Sequence, residues 1–238
     1  MAQNILAKGG TVLGVARGRS AALKSAKYHH LTLDLADAPR LGQIMEKVDE
    51  IVDKQRFDFV CLVNNASAIE SLGAIEKCPA SEIEAHIRIT LIASMILTSL
   101  FIRKFADGKM RKKVAFITGG SASSAVPHES IYCGAKAGET MFAQCVGLEQ
   151  KDKDYGFEVI TIGPGMVDTH MHQVARSKNK EDYVWADLVK EVYEKGELQD
   201  PGKVAEEIYM ILINKYEQGK YVQVSEARPP DEIIKGYQ

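Results

Sequence analysis

The stretch Val-Ala-Phe-Ile-Thr-Gly-Gly-Ser, residues 114–121, decides the fold, because a short apolar run ends there in small and polar residues. A helical segment, Tyr132–Gln150, and a second apolar run, Glu158–Ile162, follow it. Short strands rich in Val, Ile and Phe are typical of a sheet that helices cover on both faces. The order strand, helix, strand therefore predicts a right-handed crossover in a parallel sheet.

The same alternation extends over the chain and predicts an α/β fold, a Rossmann-like doubly wound parallel sheet in a single domain, residues 1–238. The predicted strands are Thr11–Ala16, His30–Leu35, Phe57–Val63, Val114–Thr118, Glu158–Ile162 and Tyr221–Val224. The predicted helices are Leu41–Lys54, Ser81–Phe105, Tyr132–Gln150 and Pro201–Tyr216. Ser81 and Glu84 have the spacing of a capping box. Residues 228–238 have the composition of a loose C-terminal tail.

Composition excludes several classes of function. The net charge of −2 gives no strong attraction to nucleic acid or anionic membranes. The longest apolar stretch, Leu91–Ile102, is too short to span a bilayer and suits a buried helix. The first residues lack the pattern of a signal peptide. The four cysteines have no regular spacing, which favours reduced thiols and a cytoplasmic protein.

Small or polar residues follow the predicted strands, where ligands bind in open parallel sheets. These strand ends are Ala16-Arg17, Asp34-Leu35, Asn64-Asn65-Ala66-Ser67, Thr118-Gly119-Gly120-Ser121 and Gly163-Pro164-Gly165. Such residues let a flat ligand approach the backbone. The pattern therefore predicts a nucleotide site at this edge of the sheet.

Tyr132 and Lys136 are four residues apart and so share one face of a helix. An unperturbed tyrosine has a pKa of about 10, and a neighbouring ammonium group lowers it by stabilising the phenolate. Such a pair can protonate a carbonyl oxygen while a hydride reaches the carbonyl carbon. The alternative is an ordinary surface helix with an extended lysine side chain.

The order of four motifs resembles the short-chain dehydrogenase/reductase family. They are Asp34, Asn64-Asn65-Ala66-Ser67, Tyr132-x-x-x-Lys136 and Pro164-Gly165-Met166-Val167-Asp168-Thr169. Two further segments, Val167–Gln173 and Gly219–Val222, are similar to the sepiapterin reductase and benzil reductase branch. The resemblance implies an enzyme that uses NADPH to reduce a carbonyl beside a second carbonyl.

The resemblance also implies cofactor-binding roles for particular residues. Arg17 suits the 2′-phosphate of NADP, unless it is only an exposed loop arginine. Asp34 and Leu35 lie beside the adenine, and Asn64, Asn65 and Ala66 line the adenosine side. Lys136 contacts the nicotinamide ribose next to Tyr132. The nicotinamide and diphosphate are flanked by Pro164, Gly165, Val167 and Thr169.

The family's glycine-rich phosphate loop is not found. Residues 2–10 resemble the helix that follows this loop, so Thr11–Ala16 is the family's second strand and the first, mid-sheet strand is absent. In an alternative register, Gly14–Ser20 is a distant form of the loop and Thr11–Leu13 is the first strand. The first register is favoured because residues 6–10 lead directly into Thr11.

Two catalytic positions also depart from the family. Gly119 stands where the family has the serine that hydrogen-bonds the substrate oxygen, and Ser121 is the nearest substitute. Thr90 stands where the family has an asparagine whose bound water links Lys136 to solvent. Thr90 either keeps part of that role or is a buried helix hydroxyl.

These observations predict an NADPH-dependent carbonyl reductase, with Tyr132 as general acid, Lys136 as its partner and Ser121 as a weak substitute for the family serine. The alternative is an inactive family member that acts in binding or assembly; a different reaction on this fold, such as epimerisation, is a third option.

His170 and His172 suit a helix start or substrate loop better than a metal site. The resemblance implies a homodimer or homotetramer that pairs through the helices of residues 81–105 and 132–150.

Trp185 and Tyr183 lie in the segment that covers the substrate in this family. They are equally consistent with ordinary packing residues.

Overall fold

The computed structural model describes residues 1–52, 57–69 and 71–224. The helices are α1 (Ala2–Ala7), α2 (Gly42–Ile51), α3 (Ala80–Ile87), α4 (Ala93–Phe105), α5 (Ser130–Gln150), α6 (His170–Ser177), α7 (Ala186–Glu194) and α8 (Pro201–Ile213). The strands are β1 (Val12–Ala16), β2 (Tyr28–Thr32), β3 (Phe59–Asn64), β4 (Arg111–Ile117), β5 (Glu158–Gly163) and β6 (Tyr221–Gln223). The predicted tail, 228–238, and the predicted end of α2 at Lys54 lie outside the described residues.

All strand pairs are parallel, and the sheet is in two parts. One part has the order β1-β2 and the other β3-β4-β5-β6. Within the described residues, β1 and β3 are not hydrogen-bonded to each other. This topology fits the register in which Thr11–Ala16 is the family's second strand, because a first strand would pair directly with β3. The α/β class with a Rossmann-like parallel sheet is confirmed.

Burial follows the division of the sheet. Nearly every residue of β4 and β5 is buried, whereas most residues of β1 and β3 are only half-buried. Side-chain packing joins the two parts, since Leu13 of β1 and Leu62 of β3 pack on the same cluster around Ala93 and Leu97 of α4. On the other face, Met1 packs with Val63 on a cluster that includes residues of β5 and α8.

Strand β4 begins at Arg111, three residues before its predicted start at Val114. The prediction started too late because two of the added residues are lysines, which are nevertheless buried in the strand. The Lys112 ammonium donates to the Gly108 carbonyl at 2.7 Å. The Lys113 ammonium donates to the Asn214 carbonyl at 2.6 Å and lies 2.8 Å from the Glu158 carboxylate. These contacts compensate for the burial of the two ammonium groups. The sequence pattern did not predict them, because charged residues are not expected in a buried strand.

The predicted capping box at Ser81 is wrong, because α3 begins at Ala80 and its N-cap is Pro79, without a side-chain cap. Pro79 has extended backbone angles, and its ring fixes φ, so the helix starts directly after it. Strand β2 also begins earlier than predicted, at Tyr28, and ends at Thr32. Asp34 then forms a turn by accepting a hydrogen bond from the Ala36 amide at 2.9 Å.

The predicted helix of residues 81–105 is a continuous helical run from Ala80 to Phe105, with a π-helical turn at Arg88–Ile92. By length and composition alone, this run of 26 residues suffices to cross a membrane. In this fold its second half is a core helix, because Leu97, Phe101 and Phe105 are buried in the clusters beneath the sheet.

Candidate active site

The amino end of α5 places Tyr132 and Lys136 beside the carboxyl end of β4. The Lys136 ammonium donates to the carbonyl of Ile117, the last residue of β4, at 2.8 Å. It also donates to Glu139 Oε2 at 2.8 Å. Its Nζ lies 6.0 Å from the centroid of the Tyr132 ring. Lys136 is 2% exposed and Glu139 is 1% exposed, so the ion pair is shielded from water.

The expectation that Lys136 lowers the pKa of Tyr132 is wrong for this arrangement. Burial raises the pKa of Tyr132, and the negative charges of Glu129 and Glu139 raise it further. The ring of Tyr132 packs edge-on against His86, with 6.0 Å between centroids. The phenol of Tyr132 is therefore protonated at neutral pH, which is the form that a proton donor requires.

A second carboxylate, Glu129, lies at the start of α5 and joins two hydroxyl groups. The Tyr183 hydroxyl donates to Glu129 Oε1. The Ser121 hydroxyl donates to Glu129 Oε2 at 3.4 Å. Burial raises the pKa of Glu129, while these two hydrogen bonds oppose the rise. Ser121, the predicted substitute for the family serine, is thus already hydrogen-bonded to the Glu129 carboxylate.

Gly119, the expected position of the family serine, has an extended backbone, with φ 177°. A Cβ atom built on Gly119 would meet nothing within 4 Å. Any residue type adopts this backbone conformation. A serine therefore fits at position 119 without a change in the loop.

Thr90 is fully buried in the π-helical turn between α3 and α4. Its hydroxyl lies 3.2 Å from the Ser67 hydroxyl and accepts a hydrogen bond from the Ala68 amide at 3.3 Å. In the part of the chain that the structure describes, these bonds are made to the turn after β3, not to Lys136. Asn64 is anchored similarly, because its amide nitrogen donates to the Thr98 hydroxyl at 3.2 Å. Helix α4 and the turn before it thus fix the Asn64–Ser67 turn.

The remaining predicted cofactor residues follow the carboxyl ends of β1, β2, β3 and β5. Arg17 and Asp34 are exposed after β1 and β2, while Leu35 packs on the core near α2. Asn65 is exposed and Ala66 half-buried after β3. These positions fit the adenosine side of a dinucleotide, with the guanidinium of Arg17 available to an added phosphate.

The segment after β5 is the one that was expected to flank the nicotinamide. Gly165 has φ +77°, a conformation that favours glycine, and the Pro164 carbonyl accepts a hydrogen bond from the Gln199 side chain at 3.0 Å. Val167 is buried and bridges to Gln199, and Thr169 is the N-cap of α6. These residues fit one end of a nicotinamide cofactor, whereas the described residues hold no glycine-rich loop for its diphosphate.

Among the residues that the structure describes, no group of three or more His, Cys, Asp or Glu side chains lies close enough to hold a metal ion, and this includes the surroundings of His170 and His172. His172 is half-buried, and burial lowers its pKa. Trp185 packs beside the cluster that includes Leu72 and Ala175, and only Tyr183 of the two aromatic residues reaches the Glu129 carboxylate.

Sequence reasoning missed Glu129, Glu139 and His86 as parts of the site. Glu139 could have been found from the sequence, because it follows Lys136 by three residues and therefore shares its helix face. The hydrogen bonds of Glu129 and the packing of His86 depend on segments that are far apart in sequence, and no local pattern indicates them.

Comparison with known proteins agrees with this geometry. The pattern of the short chain dehydrogenase family matches residues 1–180. The chain therefore belongs to this family of oxidoreductases, which bind nicotinamide cofactors.

Among individual proteins, the chain is 30% identical over 233 residues to benzil reductase ((S)-benzoin forming) of Bacillus cereus, with 95% of this chain and 94% of that one covered. It is 25% identical to sepiapterin reductase of Bos taurus over 79% of this chain and 70% of that one. A crystal structure of a short chain dehydrogenase/reductase from Saccharomyces cerevisiae has a TM-score of 0.79 at 18% identity, covering 94% of this chain and 90% of that one. The predicted kinship with the sepiapterin and benzil reductase branch is confirmed.

Gly119→Ser is expected to increase oxidoreductase turnover about 10-fold or more, because it supplies a hydrogen-bond donor of the kind whose loss costs about 10²–10³ in rate. The rate is measured by the nicotinamide absorbance. Gly119→Ala is the matched control, since it adds the Cβ without the hydroxyl. Equal rates for the Ser and Ala variants would contradict the assignment of position 119.

Proposed function

We propose that this protein is an NADPH-dependent carbonyl reductase that acts on ketones or diketones of the benzil or sepiapterin type. The observation that carries the proposal is the half-buried Tyr132 beside the buried Lys136 at the carboxyl edge of the parallel sheet. The 30% identity to a benzil reductase over 95% of the chain supports the substrate class.

The residues supply what carbonyl reduction needs besides the hydride. When bound, the nicotinamide supplies two electrons and a proton as hydride to the carbonyl carbon. Tyr132 donates its phenolic proton to the carbonyl oxygen as the carbonyl π bond breaks. Lys136, fixed by the Ile117 carbonyl and Glu139, keeps a third ammonium proton for the nicotinamide ribose. Ser121 orients the carbonyl only if its hydroxyl leaves Glu129.

The choice of NADPH over NADH rests on Arg17. This exposed guanidinium follows β1, at the strand end where an acidic residue would bind the ribose hydroxyls of NAD. A guanidinium group instead binds a phosphate through two parallel hydrogen bonds.

A second candidate function is binding or assembly without catalysis. Two observations favour it: Gly119 stands at the expected position of the family serine, and Thr90 bonds to the Asn64–Ser67 turn. A non-catalytic protein of this kind would lack tight binding of the cofactor, which separates the two candidates by experiment.

The proposal includes a homodimer or homotetramer in the cytoplasm. Met141 and Leu148 are 60% and 68% exposed on one helix, α5, which is a helix that the family resemblance assigns to pairing. Large apolar side chains exposed in a row are typical of interfaces between copies. The four free thiols suit a reducing compartment.

Wild-type protein is expected to oxidise NADPH in the presence of benzil or sepiapterin, and Tyr132→Phe to reduce kcat/KM by about 100-fold or more, since general acid catalysis contributes 10²–10⁴. Tyr155→Phe, which removes an exposed hydroxyl, is the control and keeps the wild-type rate. Absence of turnover above that of Tyr132→Phe with either carbonyl compound would overturn the reductase proposal.

NADPH at about 100 times its Kd is expected to stabilise the folded protein by about 2.7 kcal/mol, and so to raise Tm by several degrees. Arg17→Ala is expected to diminish the shift with NADPH while that with NADH is unchanged, because only NADPH carries the 2′-phosphate. The exposed Lys203→Ala serves as control. No thermal shift with either cofactor favours the non-catalytic candidate.

Light scattering at micromolar concentration is expected to give the mass of a dimer or tetramer. The double substitution Met141→Glu and Leu148→Glu is expected to lower the mass to that of the monomer, because it places like charges on the exposed face of α5. Met210→Glu, on the half-exposed side of α8, is the control. A monomeric wild-type protein would exclude the assembly.

A further inference from the structure

The ammonium group of Lys136 is neutralised by a carboxylate on its own helix. Glu139 lies one turn further along α5, and its Oε2 accepts a hydrogen bond from Lys136 Nζ at 2.8 Å. Both side chains are buried, so water screens the pair little. Burial raises the pKa of Glu139 and the charge of Lys136 opposes this, so the pair is ionic once the pH exceeds that raised pKa.

The position of Lys136 is fixed by two acceptors, neither of which is the Tyr132 hydroxyl. The Ile117 carbonyl accepts at 2.8 Å from the end of β4, and Glu139 accepts at 2.8 Å from within α5. The nearest aromatic contact of Nζ is the centroid of the Tyr132 ring, at 6.0 Å. The stabilisation that an ammonium group gives to a phenolate falls with distance, and a carboxylate beside the ammonium cancels most of what remains.

Several other groups face Tyr132, and they come from three segments of the chain. His86 approaches from α3, Tyr183 from the segment before α7, and the rest from the region of α5 itself. Among the residues that the structure describes, the titratable and charged neighbours are His86, Glu129, Cys133, Lys136, Glu139 and Tyr183. Lys136 is the cation in this group of described neighbours, and Glu139 is in direct contact with it.

We propose that Glu139 is a positioning residue that holds the Lys136 ammonium against β4 and cancels its charge, so that Tyr132 remains a phenol and the site is biased toward carbonyl reduction. This inference rests on the proposed function. In the reductive direction Tyr132 must enter the reaction with its proton, which passes to the carbonyl oxygen as hydride reaches the carbon. In the oxidative direction Tyr132 must enter as phenolate and accept the proton of the alcohol. Glu139 therefore raises the pH at which Tyr132 changes from the form that serves reduction to the form that serves oxidation.

The first test follows the phenolate of Tyr132 directly and needs neither cofactor nor turnover. The ultraviolet absorbance of the phenolate is titrated in the wild type and in Glu139→Gln, and in each protein again with Tyr132→Phe, so that the difference isolates Tyr132. Glu139→Gln is expected to lower the pKa of Tyr132 by about one unit or more, since it removes one charge and keeps the shape. Glu149→Gln, on the exposed side of the same helix, is expected to leave it unchanged.

Two further variants separate charge from structure. Glu139→Asp keeps the negative charge and is expected to titrate like the wild type, whereas Glu139→Leu, which replaces the carboxylate by a buried apolar side chain, is expected to titrate like Glu139→Gln. Circular dichroism establishes that each variant is folded, and Glu139→Leu serves if Glu139→Gln is not. Equal titration of Tyr132 in the wild type and in a folded neutral variant would overturn the inference, as would an equal shift in the Asp and Gln variants.

The second readout is the pH profile of turnover. In Glu139→Gln the loss of reductase activity at alkaline pH is expected to begin about one pH unit lower than in the wild type, and the oxidation of the corresponding alcohol to begin at lower pH by the same amount. A wild type without turnover would remove the proposed function, yet the phenolate titration would still decide the role of Glu139.

Discussion

The parallel hydrogen-bond ladder that joins β3, β4 and β5 is the constraint on which the site depends. Its register pairs Asn64 with Phe116 and Ile117 with Ile162, so the carboxyl ends of the three strands lie at one edge of the sheet. The segments that follow these strands therefore come together, although they are far apart in sequence. The hydrogen bond from Lys136 to the Ile117 carbonyl then ties α5 to the same ladder.

The electrostatics of the site differ from a simple tyrosine and lysine pair. Burial raises the pKa of Tyr132 most, and two nearby carboxylates, Glu129 and Glu139, raise it further. Each carboxylate also has an anchoring role, since Glu129 binds the hydroxyls of Ser121 and Tyr183 and Glu139 binds Lys136. The same acidic groups that keep the proton on Tyr132 thus hold its neighbours in place. In such surroundings Tyr132 is favoured as a neutral phenol, which donates a proton, over a phenolate, which accepts one.

The sequence was sufficient to predict the class of fold, the parallel order of the strands and the placement of Tyr132 and Lys136, because periodicity and helical spacing are local properties. It was insufficient for the start of β4, since the buried Lys112 depends on carbonyl groups of the turn just before the strand and Lys113 on carbonyl groups about 100 residues further along the chain. The capping box failed because Pro79 fixes the helix start more strongly than Ser81 does. The raised pKa of Tyr132 was also not predictable, because it depends on burial, which arises from tertiary packing and which the Tyr-x-x-x-Lys motif does not indicate.

The division of the sheet has a consequence for how the molecule opens. The unit of β1 and β2 is joined to β3 through the shared apolar cluster on α4, and within the described residues no ladder of hydrogen bonds crosses between them. Separating this unit therefore breaks side-chain contacts but no sheet hydrogen bonds, so its local unfolding requires less free energy than that of the β3-to-β6 sheet. Arg17 and Asp34 follow the two strands of this unit. The part of the adenosine side that these two residues supply thus lies on the less stable unit, whereas Asn64–Ala66 lie on the other, and a ligand that contacts both parts of the sheet will also stabilise their association.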